Sequence, residues 1–234
     1  MKHKIAALLA VVFFIPGVLA AQAARPVDSG RLAAVLSAKS AQEMDAFLSK
    51  ADEYGTPLII KLARQGDVKT LQTLPSYAQT GNFLSATDKY GNNLFHVAKN
   101  ADTVQAVALL VRRYYGPQTT RKIKQLANAR NKLNETPLHA QINAAHTDTF
   151  RLIYNYTSLK EKNDMARNQL ARLHGADERI YTQHKAIYCR DILSAASANG
   201  VTILQSAKAQ IPYNPQMGQV AATIERTLPC LAEN

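Results

Sequence analysis

The side chains able to do chemistry include six histidines and two cysteines, and they are scattered. His184 and Cys189 come closest to a nucleophile pair, with His174 upstream. A thiol and an imidazole work together only within hydrogen-bond reach. Five residues apart on a helix, these two side chains leave in different directions. There is no glycine-rich phosphate loop, no H-E-x-x-H, no G-x-S-x-G and no metal-spaced Cys/His set. The acidic residues show no paired arrangement. The sequence therefore assigns no catalytic residue, no metal and no cofactor, and the expected activity is binding.

The cysteines have a simpler use. Cys189 and Cys230 are an even pair without CxxC spacing. In an oxidising compartment they are free to form one disulfide, which would close a loop worth about 4 kcal/mol on the chain-entropy account. Two buried free thiols are the alternative. The first residues favour oxidation. Lys2, His3 and Lys4 precede an apolar run of 11 residues ending at Ile15, then Pro16-Gly17 and a small-x-small site at Ala21-Gln22-Ala23. Residues 1–23 thus read as a signal peptide, with a periplasmic or secreted destination. A transmembrane anchor is the rival reading, but the run is short for a span of roughly 20 residues and lacks a following basic cluster. With no cysteine near the cleavage site, a lipoprotein anchor is not expected.

Composition bounds the rest. Of 234 residues, 47% are apolar and 19% charged, which excludes a disordered chain, and the net charge is +11. The positive excess is concentrated. Arg112, Arg113, Arg121, Lys122, Lys124, Arg130 and Lys132 fall in one stretch without an acid. Such a run is either a solvated face or a footprint for an acidic protein or an anionic membrane surface. Nucleic acid is a weaker candidate, because an exported chain meets little of it and only Tyr114 and Tyr115 stand there to stack bases.

The elements that must position these residues are helical. Apolar residues recur at helical spacing in short stripes: Leu32, Val35 and Leu36; Met44, Phe47 and Leu48; Leu58, Ile59 and Leu62; Val68, Leu71 and Leu74. Further stripes run over Phe95, Val97 and Ala98; Val104, Val107 and Val111; Leu138 and Ile142; and Phe150, Ile153 and Tyr154. Gln65-Gly66-Asp67 joins two of them with a C-cap glycine and an N-cap aspartate. Helices this short need neighbours to close a core. The fold class is all-α.

A repeat runs through the pairs. Asp52-Glu53-Tyr54-Gly55-Thr56-Pro57-Leu58 aligns with Asp88-Lys89-Tyr90-Gly91-Asn92-Asn93-Leu94-Phe95-His96, and again with Asn131-Lys132-Leu133-Asn134-Glu135-Thr136-Pro137-Leu138-His139. Each copy places Gly or Asn, which tolerate positive φ, just before a helix start. Thr136-Pro137-Leu138-His139-Ala140 resembles the T-P-L-H-x-A signature of the ankyrin repeat, a β-turn followed by two antiparallel helices. The tetratricopeptide repeat is the rival helix-pair family, and it lacks that element. The spacings between copies exceed the family's, so the resemblance implies an insertion around residues 115–130.

The resemblance implies a short ankyrin-like solenoid over residues 24–157, with a helical capping extension over 158–234. It also implies that His96 and His139 hold their turns to their helices, and that His146 takes the place of a helix-joint glycine. Turn tips are the family's contact surface, here Glu53, Tyr54, Lys89, Tyr90, Lys132 and Leu133, with Arg121, Lys122 and Lys124 adding charge. The expected function is an exported, non-catalytic adaptor for a protein partner in the bacterial periplasm. A secreted effector acting on a host protein, or an enzyme with its site in residues 158–234, are the alternatives.

Overall fold

A computed structural model describes residues 27–232 except Gln79 and Ala176, so the segment read as a signal peptide lies outside the described residues. Helices start where a short polar side chain precedes an apolar stripe. After α1 (Ser29–Ser37), a reciprocal Ser40–Glu43 capping box opens α2 (Ala41–Ser49). α3 (Leu58–Gln65) stops at Gly66, and Asp67 caps α4 (Val68–Thr73). Asn93 opens α5 (Leu94–Val97), and Asn100 opens α6 (Ala101–Tyr115). α7 (Thr119–Asn128) is followed by α8 (Pro137–Asn143), which has proline at its first position, and by α9 (Thr147–Tyr154). Thr157 and Asp177 cap α10 (Ser158–Arg172) and α11 (Glu178–Ala195). A two-residue hairpin, β1 (Ser197–Ala198) with β2 (Val201–Thr202), leads into α12 (Ile203–Gln210), α13 (Met217–Thr227) and α14 (Pro229–Ala232). The described chain is otherwise all-α.

The helices pack in two rows. α3, α5, α8 and α12 touch in succession, and so do α4, α6, α9 and α13. Each first-row helix also packs on its second-row successor, giving four pairs, with α2 against α3 at one end. Leu62, Leu71, Phe95, Val107, Ile142, Phe150, Leu204 and Ile224 are buried in the core these rows share. Each helix buries one stripe, so the stack is held by its neighbours' contacts more than by any helix's own propensity.

Two insertions interrupt the pairs. α7 lies between the second and third, where it buries Leu126 and Ala127, and Asn93 Nδ2 donates to the Leu126 carbonyl at 2.8 Å. α10 and α11 form a helical hairpin between the third and fourth. The expected single capping extension over residues 158–234 is therefore divided. Its first half is the inserted hairpin, and its second half is another helix pair stacked on α8 and α9. Cys189 on α11 is bonded to Cys230 on α14, so the alternative of two free thiols falls.

Candidate docking surface

Four turns precede the four first-row helices, and three share one construction. The Asp52 carboxylate accepts from the Tyr54 and Thr56 N–H groups at 2.9 and 2.8 Å. Asp88 does the same for Tyr90 and Asn92, and Asn131 for Leu133 and Glu135. The residue two before each helix cap is left-handed: Gly55, Gly91, Asn134 and, in the fourth turn, Gly200. Consecutive tips are joined through the backbone. Lys89 N–H donates to Gly55 O at 3.0 Å, and Lys132 N–H donates to Tyr90 O at 2.9 Å. Glycine is required at two of these joints for space as well as for φ. A Cβ on Gly55 would stand 2.9 Å from Lys89 Cβ, and one on Gly91 would stand 3.2 Å from Lys132 N. The fourth turn is tied to the third by Asn199 Nδ2 donating to Leu133 O and by Arg130 bonding both Asn134 O and Ser197 O.

Side chains repeat the connection. Arg64 pairs with Asp88 at 2.9 Å, and Asn92 Nδ2 donates to the same carboxylate. Asn131 Nδ2 bridges Asn92 and Glu135, Asn143 Nδ2 donates to Glu135, and Ser206 and Gln210 donate to the Asn143 carbonyl. This polar ladder runs unbroken from the first helix pair to the fourth. Asp88 is 5% exposed, so its partners offset a desolvation cost as well as setting register.

The ridge presents apolar groups outward. Tyr54, Tyr90 and Leu133 occupy equivalent positions on consecutive turns and are 51, 44 and 54% exposed. The tyrosines are thus not buried between turns. Glu53, Lys89 and Lys132 stand beside them, also exposed, and the Lys89 ammonium lies over the Tyr90 ring at 5.1 Å from its centroid. Lys61 is drawn back onto Asp52.

His96 and His139 are buried at equivalent positions beneath the ridge. Asn93 N–H and Thr136 N–H each donate to Nδ1 of their histidine at 3.3 Å. His96 Nε2 reaches Glu135 O at 3.1 Å, which ties one repeat to the next turn. Burial holds both imidazoles neutral, pushing each down to about 4, and Arg130 adds to the effect at His139. His146 does not occupy the joint position expected of it. Ala145, with φ of 58°, takes the left-handed conformation that Gly66 takes at the first joint, and His146 follows at the helix cap, bonded to Gln141.

The basic run does not act as one patch. Lys122 donates to the Ser85 hydroxyl and covers the Tyr115 ring, while Lys124 pairs with Glu161 on α10. Two of the three cations expected to add docking charge are therefore committed internally, to partners far off in sequence. Arg121 remains exposed. The sequence placed Arg130 only in the basic run and gave Asn199 no role, so their linking of the third and fourth turns was missed. The left-handed Asn199-Gly200 before the Thr202–Gln205 capping box was the available signal.

Elsewhere, the joints of the last three pairs line an open cleft of about 710 Å³ with Lys99, Asn100, Asp102, His146, Asp148 and Gln216. His184 lies against Tyr188 on α11, and Cys189 is spent in the disulfide, so no Cys–His couple forms there. Among the described residues no three His, Cys, Asp or Glu gather as for a metal, and no helix is long and apolar enough to cross a membrane. Compared with known proteins, the chain matches no family model and no curated protein.

Proposed function

We propose that this chain is an exported, non-catalytic adaptor of ankyrin-repeat type that docks a protein partner on its ridge of turn tips. Export is supported by the signal-like first residues and by the disulfide, a bond typical of oxidising compartments. The repeat assignment is supported by the T-P-L-H run, the recurring left-handed turn and the pairing of helices behind each turn. One observation carries the docking reading. Tyr54, Tyr90 and Leu133 stand exposed in a row on turns that are bonded to each other. Aromatic anchors on a preordered frame contribute affinity with little conformational entropy to lose.

The test compares capture from the native envelope fraction by the parent and by a Tyr54→Ala, Tyr90→Ala, Leu133→Ala variant. Partners are identified after photo-crosslinking from the tips. Truncating such anchors costs about 1–2 kcal/mol each, so capture falls at least tenfold while the melting temperature holds. Equal recovery of the same crosslinked partner by both proteins rejects the ridge as the docking surface.

A further inference from the structure

We propose that the elbow joining α6 to α7 binds the anionic face of a phospholipid membrane through Arg112, Arg113 and Arg121. The proposal is independent of the ridge. Once Lys122, Lys124 and Arg130 are assigned to their internal partners and Lys132 to the ridge, three exposed arginines remain of the run, and among the described residues none of the three makes a side-chain hydrogen bond or ion pair. Leu109, one turn before Arg112 and Arg113 on the same helix face, is 56% exposed. An apolar side chain among cations suits the boundary between headgroups and acyl chains.

Shape favours a flat anionic surface over an acidic protein. The starts of α6, α9 and α13 share one cleft, so their first turns are level. α6 then runs for 15 residues against 8 in α9, which carries its last turns about 10 Å further along the helix axis. The elbow thus forms a knob that reaches past the end of α9 and is braced by residues 78–85. A protein interface of ordinary size buries about 800 Å² per side around an apolar centre. This knob offers three cations and a single exposed leucine, enough for a fluid array of phosphates that needs no matching shape.

The knob is also rigid. Tyr114 and Tyr115 hydroxyls donate to the carbonyls of Ala78 and Gly81 at 3.1 and 3.2 Å, and Tyr114 meets Phe83 edge to face. The Thr119 hydroxyl donates to Gly116 O across the bend. The arginines are therefore presented without prior ordering of the backbone.

Vesicle sedimentation decides it. The full chain should partition onto vesicles of phosphatidylcholine and phosphatidylglycerol in equal parts, should ignore pure phosphatidylcholine, and should lose binding as salt is raised. An Arg112→Ala, Arg113→Ala, Arg121→Ala variant should bind about 100-fold more weakly, from the usual contribution of one cation near an anionic surface. The tip variant should bind vesicles like the parent, which separates this proposal from the adaptor reading. If the arginine variant fails to fold, Leu109→Ser carries the test, with about a fivefold loss expected from withdrawing one leucine. A parent that does not distinguish the two vesicle types overturns the proposal. So does an arginine or Leu109 variant that binds as tightly as the parent, or retention of the parent on polyglutamate in place of vesicles.

Discussion

Replacing His139 by Gln should make this protein more resistant to acid. The His139 imidazole has a native pKa of about 4 against an ordinary value of 6.5, because burial disfavours its charge. As pH falls through 6.5 the unfolded chain takes up a proton that the folded chain refuses. Stability therefore drops between about pH 6.5 and 4 and levels off below both values. At pH 4.5 the imidazole costs the fold about 2–3 kcal/mol, a sizeable share of the 5–15 kcal/mol that holds a typical domain. Glutamine cannot titrate, and the fourth turn shows, at an exposed position, that it can make the same cap. Gln205 stands at the equivalent place on α12 and completes a capping box with Thr202. Urea unfolding of parent and variant at pH 7.5 and 4.5 isolates the effect, since the carboxylates contribute equally to both proteins. The variant should be within about 1 kcal/mol of the parent at the higher pH and gain about 2–3 kcal/mol on it at the lower. A difference between the two proteins that does not change with pH would refute the argument.

The left-handed positions give an opposed pair of substitutions. Ala145→Gly should raise stability by about 0.5 kcal/mol by relieving a positive φ, and Gly91→Ala should lower it by at least about 1–2 kcal/mol, because φ of 81° is joined by a close approach to Lys132 N; thermal melts that rank the two the other way would contradict this. Reducing the Cys189–Cys230 bond, which closes a separation of 41 residues, should lower stability by about 4 kcal/mol on the chain-entropy account. Non-reducing mass analysis should show a mass two hydrogens below that of the dithiol chain, and two alkylatable thiols in the native protein would contradict the bond.

Much of the fold was legible because caps and stripes agree. Gly66 with Asp67 and Pro137 after Thr136 each mark an edge that the structure keeps. The fourth pair was not legible as a pair. Thr202-Ile203-Leu204-Gln205 has Ile for Pro and Gln for His, and the inserted α10–α11 hairpin removes the spacing that would have betrayed the period. The exposed tips could be placed because turn chemistry is local. The fate of the basic run could not, since it depends on Ser85 and Glu161, each 37 residues from its lysine.

The inserted hairpin has a kinetic consequence. In an array whose units follow one another along the chain, each new unit forms on a neighbour already in place. Here α12 must find α8 across the whole of α10 and α11. Loop closure of that length slows the step, so the last unit should be recruited after the first three have consolidated. The cysteine bond encloses α12 and α13 between its ends, so oxidation secures the late-arriving unit and keeps it from detaching while the rest stays folded.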